Sequence, residues 1–420
     1  MKKFNIADLI FFICLIYSLI CLFFNIQLNI ISAILLLGLV IYSVIKSRKN
    51  VLLFFSFLVI GYFIFSVLIS RFFFIGGPLQ GEFFQLRYNN TNSIGINCIL
   101  LFYSIILLLI RKFKKVEIDK NFFKYDKYNK KTLIVSLGII FLVTFAFLNS
   151  VFFKFFSNSE QIYEYCLILF IFGYYYTGNN KKLWWILSII LALFSGYTIL
   201  QGVRVSILQM LIIFFLMNMI HKYNWKKITI YTIIGIILFT IFGIYGDHLD
   251  WGTDFSFNYI YEQILDRKFA LDTSVSSYFT GLTFIEYTNI MTFGERFSNL
   301  LDYFKYTFIG GGANYKNLQS ITINSYIHYY GGYITSYFYY WLGTAGVILI
   351  ATYIGKLFKM INNLTLKSKH FYKLSTVYII STIPRWFLYF PTPLFRGFII
   401  FLIIHIAINI FISGEKNEES

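Results

Sequence analysis

Twelve apolar stretches of roughly 17 to 22 residues recur along this 420-residue chain, each long enough to cross a hydrocarbon core of about 30 Å as a helix. Inside lipid every backbone polar group must find its partner within the protein, which leaves helices or a closed barrel. Barrel strands alternate apolar and polar residues, whereas a run such as IVSLGIIFLVTFAFL (134–148) is apolar on every side. Only 13% of residues are charged and 58% are hydrophobic, where soluble domains carry roughly 25% charge. A water-soluble fold is excluded, and the expected class is all-α: a polytopic helical membrane protein with about 12 transmembrane helices and one large external loop. The N-terminus, MKKFNIADLIFFICLIYSLICLFF, is charged like a signal peptide. It lacks a small-x-small cleavage site and is expected to stay as the first span.

The expected spans are 6–24, 27–45, 51–70, 94–110, 132–153, 162–178, 183–201, 204–220, 228–246, 331–355, 374–390 and 398–412. With both termini in the cytoplasm, 25 of the 36 basic residues fall in inner segments, as the positive-inside rule requires. The net charge of +17 then reports topology, and a nucleic-acid partner is not expected. Three regions follow: nine spans with short loops over 1–246, a large external loop over 247–330, and three spans with a cytoplasmic tail over 331–420. The external loop holds nine of the 19 acidic residues. Within it, 295–312 places Phe297, Leu301, Phe304 and Phe308 on one helical face, the pattern of an amphipathic helix at the membrane interface. The basic inner loop 111–131 reads as solvated.

Arginine and lysine divide between the two sides. Of nine arginines only Arg48 and Arg111 are internal, whereas 23 of 27 lysines are. A lysine-rich composition does not explain arginine collecting on the opposite side. Arginine binds phosphate through a planar two-pronged fork and stays charged where water is scarce, so the outer face is expected to bind an anion. Arg204, in the tight turn QGVRVS, opens the eighth span at the positive end of its dipole. Arg385 follows Pro384 inside an apolar stretch, where an arginine is costly and is usually retained for function. Arg396 opens the last span. Arg71, Arg87 and Arg267 each suit snorkelling to lipid phosphates, and Arg267 and Arg296 also stand as substrate-binding candidates.

No HExxH, P-loop, GxGxxG or GxSxG motif is present, so no cofactor and no metal are expected. Cys14, Cys21, Cys98 and Cys166 all fall in apolar spans without a CxxC pair, which excludes a zinc knuckle and a disulfide framework. The one DxD-like pair, Glu117 and Asp119, sits among lysines of the inner loop and reads as a solvated charge run. His248 and His328 flank the external loop and are candidate bases or phosphate ligands.

SGYTILQGVRVSILQ (195–209), GGGANYKN (310–317), NSYIHYYGGYITSYFYYWLGTAGVILI (324–350) and FPTPLFRGFIIF (390–401), in this layout of spans and loop, resemble the oligosaccharide repeat-unit polymerases of the O-antigen polymerase (Wzy-type) family. Val205 stands where that family usually has a small residue after its arginine. The resemblance implies transfer of a growing glycan from an undecaprenyl pyrophosphate carrier to another carrier-linked unit, on the outer face of the bacterial cytoplasmic membrane, yielding O-antigen or capsular polysaccharide. Arg204, Arg385 and Arg396 would hold the pyrophosphate leaving group, and Asp247, His248, Asp250 or His328 would accept the acceptor's proton. Trp251, Tyr259, Tyr261 and Tyr315 would stack on sugars, and Asn324 would contact substrate. Expected partners are the lipid-linked glycan, the bilayer and a polysaccharide chain-length regulator. A lipid-linked glycan ligase shares the layout; a flippase or transporter has a similar number of spans but usually shorter loops.

A cysteine placed at Ser256 is expected to react with a membrane-impermeant thiol reagent in intact cells, and one at Asn129 only after permeabilisation. The opposite labelling would place the arginines in the cytoplasm.

Overall fold

The computed structural model describes residues 6–73, 88–125, 129–153, 159–178, 180–201, 204–251, 256–267, 273–309, 318–322 and 331–413. They are mostly helical, with no strand among them. In chain order the α-helices are α1 (Ile6–Phe24), α2 (Asn29–Ser47), α3 (Val51–Val67), α4 (Tyr88–Ile110), α5 (Lys130–Leu148), α6 (Ser159–Thr177), α7 (Lys181–Leu200), α8 (Arg204–Asn218) and α9 (Trp225–Trp251). After them come α10 (Phe257–Arg267), α11 (Thr273–Tyr287), α12 (Phe293–Ile309), α13 (Leu318–Thr322), α14 (Ile334–Leu342), α15 (Thr344–Asn362), α16 (His370–Ser381), α17 (Ile383–Leu388) and α18 (Phe398–Ser413). Wider π-helical turns occupy Leu68–Phe73, Asn149–Phe153 and Pro393–Gly397.

Eight helical stretches among the described residues are long and apolar enough to cross a membrane: Ile6–Phe24, Asn29–Ser47, Val51–Phe72, Asn90–Ile110, Lys130–Phe152, Lys181–Leu200, Thr344–Asn362 and Pro393–Ser413. The chain is thus a polytopic helical membrane protein. Tyr165–Thr177 and Val205–Asn218 are shorter apolar helices. Four helices begin beside lysines with an asparagine cap. Asn50 accepts from the Leu53 amide at 3.2 Å, Asn129 from Thr132 at 2.9 Å, Asn180 from Lys182 at 3.1 Å and Asn224 from Lys227 at 3.1 Å, each satisfying an amide that the helix itself cannot.

The chain forms two compact units. The first comprises Met1–Val116, Ser256–Asn363 and Arg385–Pro391. α4 is its axis: 83% of its spanning stretch is buried, with α1, α2, α11 and α15 packed around it. Gly355 lets α15 approach closely, since a Cβ there would lie 3.4 Å from the Ile106 backbone, as small residues do between membrane helices. Asn362 at the end of α15 accepts from the Lys114 amide at 2.9 Å and donates to the Lys112 carbonyl at 2.7 Å, pinning the start of the basic loop. The second unit comprises Glu117–Phe255, Leu364–Pro384 and Thr392–Ser420, with α5 to α8 as a bundle joined by α9, α16 and α18. The basic loop is less solvated than its charge suggests, because Phe122 and Phe123 are buried in this unit and Lys373 sits 4.5 Å above the Phe122 ring.

Two apolar stretches expected as single spans are broken. The stretch 331–355 divides at Gly343, whose φ of +63° suits glycine; its amide closes α14 on the Tyr339 carbonyl at 2.7 Å. The stretch 374–390 divides at Thr382, and Pro384 then stands in the first turn of α17, where its missing N–H costs nothing. The segment 247–330, expected as a loop, carries the end of α9 and all of α10 to α13 among its described residues. Nearly every residue from Ser274 to Tyr287 in α11 is buried, packed on α3, α4 and α14.

A methyl group at Gly346 would collide with the Phe338 carbonyl, a backbone atom that cannot swing away. Gly346→Ala is expected to destabilise the protein by about 1–3 kcal/mol through overpacking, read as a lower unfolding temperature in detergent. Gly38→Ala, with nothing within 4 Å, should leave it unchanged or slightly raised.

Candidate functional site

In the first unit the short helix α17 presents Arg385 one residue after Pro384. The side chain is only 8% exposed and its guanidinium carbon lies 5.7 Å from the Tyr389 ring centre, an aromatic backing that partly replaces lost hydration. The Arg385 carbonyl accepts the amides of Tyr389 at 2.9 Å and Phe390 at 3.1 Å, closing the helix.

The GGY sequence 331–333 holds α17 in place. Gly331 and Gly332 have φ of +103° and +139°, open only to glycine without strain. The Gly332 amide donates to the Leu388 carbonyl at 2.8 Å, and the Gly331 carbonyl accepts from Gln319 of α13 at 2.6 Å. Tyr333 then wedges between elements. Its ring lies 5.1 Å from Phe387 of α17 and 5.8 Å from Tyr278 of α11, and its hydroxyl donates to the Phe63 carbonyl of α3 at 3.2 Å. Arg71 sits in the π-helical turn that extends α3, beside Phe72, whose ring is 6.5 Å from Tyr278.

Arg296 has a structural task. It donates to the Tyr340 carbonyl at 3.2 Å, one of the last carbonyls of α14 and without a partner inside that helix, while its guanidinium lies 5.7 Å from the Phe293 ring. Thr292 and Glu295 form a capping box at the head of α12: the Thr292 amide and hydroxyl each donate to the Glu295 carboxylate at 2.8 Å. These bonds, the amide foremost, lower the Glu295 pKa. On α12, Leu300, Tyr303 and Thr307 face inward, whereas Phe297, Leu301 and Phe308 remain exposed. α12 is thus amphipathic, with an exposed apolar stripe beside its buried face.

In the second unit, Arg396 lies in the π-helical turn Pro393–Gly397 that leads into α18, its guanidinium 5.9 Å from the Tyr165 ring. Helix α8 begins at Arg204, and Asp247, His248, Asp250 and Trp251 occupy the last turns of α9; the structure describes their backbone but not their side chains. The same holds for Arg267, the last residue of α10. Tyr259 is half-buried and Tyr261 exposed. Arg87, Tyr315, Asn324 and His328 lie outside the described residues.

Glu286 was not among the candidates read from the sequence. It is buried at the end of α11, where its carboxylate accepts from the Thr91 hydroxyl of α4, in contrast to the exposed Glu262, Glu295 and Asp302. Its signal was position alone: an acid just before the last residue of a helix otherwise composed of Ser, Thr, Gly, aliphatic and aromatic residues. Among the described residues no group of three His, Cys, Asp or Glu side chains is placed to hold a metal ion. What the two units do present are arginines at helix breaks, each laid against an aromatic ring and each with a fork suited to phosphate. Compared with protein-family profiles, with curated proteins and with solved structures, the chain matches none.

At Gly331 an added Cβ would meet the Ser277 side chain and lie 2.8 Å from the Leu388 carbonyl, on a backbone that side chains rarely adopt. Gly331→Ala is expected to cost about 1–3 kcal/mol and to loosen α17, seen as a lower unfolding temperature and faster amide exchange over 385–390. Gly138→Ala, in open space, serves as the comparison.

Proposed function

We propose that the protein polymerises polyprenyl-pyrophosphate-linked oligosaccharide repeat units by glycosyl transfer at the outer face of the bacterial cytoplasmic membrane. The single observation that carries this is the placement of arginine. Seven of nine arginines belong to segments opposite the lysine-rich side, and Arg385 and Arg396 stand at helix breaks against tyrosine rings. The proposed topology has about twelve spans with both termini inside, the two broken stretches each counting as one crossing, and 247–330 on the outer side with α11 inserted among the spans.

The chemistry follows from the leaving group. An acceptor hydroxyl oxygen bonds to the anomeric carbon of the donor glycan, the bond to the pyrophosphate oxygen breaks, and the electron pair departs with the pyrophosphate. Arg204, Arg385 and Arg396 stabilise that developing charge, a task that needs fixed cations in a poorly hydrated place. The hydroxyl proton passes to a carboxylate or imidazole, with Asp247, His248, Asp250 and His328 the candidates. The exposed aromatic stripe of α12 would keep the outer segment at the interface, where a lipid-linked substrate presents its headgroup.

A deletion strain distinguishes the neighbouring activities by its surface glycan: single repeat units on the lipid anchor support a polymerase, a bare anchor a ligase, and cytoplasmic accumulation a flippase. Within the polymerase, Arg→Lys substitution separates a phosphate fork from a snorkelling cation. At Arg204, Arg385 and Arg396, Lys should lose nearly as much activity as Ala, about 10²- to 10³-fold by analogy with oxyanion-hole donors, because charge survives and geometry does not. Arg87→Lys should be near neutral. Wild-type glycan length in all three Lys variants at normal membrane abundance would refute the clamp.

A further inference from the structure

We infer that Tyr378 is a positioning residue for Arg396, locking the π-helical turn from which Arg396 projects; this rests on the polymerase reading. The turn Pro393–Gly397 is π-helical, a rare form that needs local support and is frequent at functional sites. The support comes from α16. The Tyr378 hydroxyl donates to the Pro393 carbonyl at 2.8 Å, reaching it across Gly397, where a Cβ would overlap that hydroxyl. The tyrosine is itself fixed: it is 2% exposed and its ring stacks 5.4 Å from Phe401 of α18. Hydroxyl, glycine and π turn form one device. Without the hydroxyl the turn can tighten to an ordinary α-helix, moving Arg396 by one register position, about 100° around the axis, and away from the Tyr165 ring that backs it.

Tyr378→Phe keeps the ring and its packing and removes only the lock. In protein reconstituted in nanodiscs, amide exchange over 393–401 should quicken while the unfolding temperature changes little. Polymerisation of lipid-linked repeat units should fall about tenfold, the worth of one buried hydrogen bond. In an Arg396→Ala background the same substitution should cost nothing further, because a residue that acts through Arg396 has nothing left to act on. Gly397→Ala, which pushes the hydroxyl aside, should reproduce the loss. An equal fall in both backgrounds would make Tyr378 merely structural and overturn the inference, and unchanged exchange over 393–401 would overturn the lock whatever the activity. Faster exchange with wild-type polymer from Arg396→Ala would instead refute Arg396 as part of the clamp, and the positioning role with it.

Discussion

Hydrocarbon offers no partner to an exposed peptide group, so a membrane helix can be interrupted only where the protein supplies the missing hydrogen bond. That constraint governs the C-terminal third of this chain. The break before α14 is closed by the Gly332 amide on the Leu388 carbonyl and by Gln319 on the Gly331 carbonyl. At the end of α14, the Gly343 amide turns back to Tyr339 and Arg296 takes the Tyr340 carbonyl. The Thr382 amide returns to Tyr378 at 3.0 Å where α16 ends. Each interruption therefore has an identified partner, and each brings a residue that is neither apolar nor helical by preference into a fixed position.

Arg296 bonds at one of those interruptions, Arg385 follows another, and Arg396 lies in the π-helical turn before α18. A guanidinium inside a membrane protein is costly unless it is held among polar or aromatic groups. Arg385 has Tyr389, Arg396 has Tyr165 and Arg296 has Phe293. The three are not equivalent in what they already do. Arg296 satisfies a helix end, a role that any well-placed donor could fill. Arg385 instead lies on the short helix α17 and Arg396 in the π-helical turn Pro393–Gly397.

Eight spans were legible because apolar runs of the right length admit few alternatives, and the lysine clusters marked where helices start; the asparagine caps at 50, 129, 180 and 224 lie beside them. Helix α11 was not legible. Its stretch TSVSSYFTGLTFIEY carries too many hydroxyls to register as apolar, yet two of its threonines bond within the helix: Thr280 donates to the Ser276 carbonyl at 3.0 Å and Thr283 to the Thr280 carbonyl at 2.7 Å. A hydropathy scale counts a serine or threonine as polar whether or not it bonds its own backbone. The breaks at Gly343 and Thr382 were equally hidden, since apolar composition continues across them. Of the site, the separation of arginine from lysine along the chain could be read from counting. The aromatic backing of each guanidinium could not, because Tyr389 and Tyr165 acquire that role only through tertiary packing.

The π-helical turns show how the chain reconciles these demands. A π turn widens the helix and can leave a carbonyl to be satisfied from outside. The turn Asn149–Phe153 has its Ser150 carbonyl taken by the Tyr197 hydroxyl at 2.9 Å, and the turn Pro393–Gly397 has its Pro393 carbonyl taken by Tyr378 at 2.8 Å. In α3, which the turn Leu68–Phe73 extends, the Phe63 carbonyl is taken by Tyr333 at 3.2 Å. The same chemistry thus recurs in two of the three π-helical turns, each time from tyrosine to backbone. Tyrosine suits the task because its ring is at home among apolar side chains while its hydroxyl reaches a carbonyl that water cannot. In the proposed orientation all three turns lie at the outer ends of spans, and two of them carry Arg71 and Arg396. Part of the tyrosine abundance of this chain, 34 residues, thus has a mechanical use: it supplies hydroxyl donors to backbone carbonyls at two of the π-helical turns.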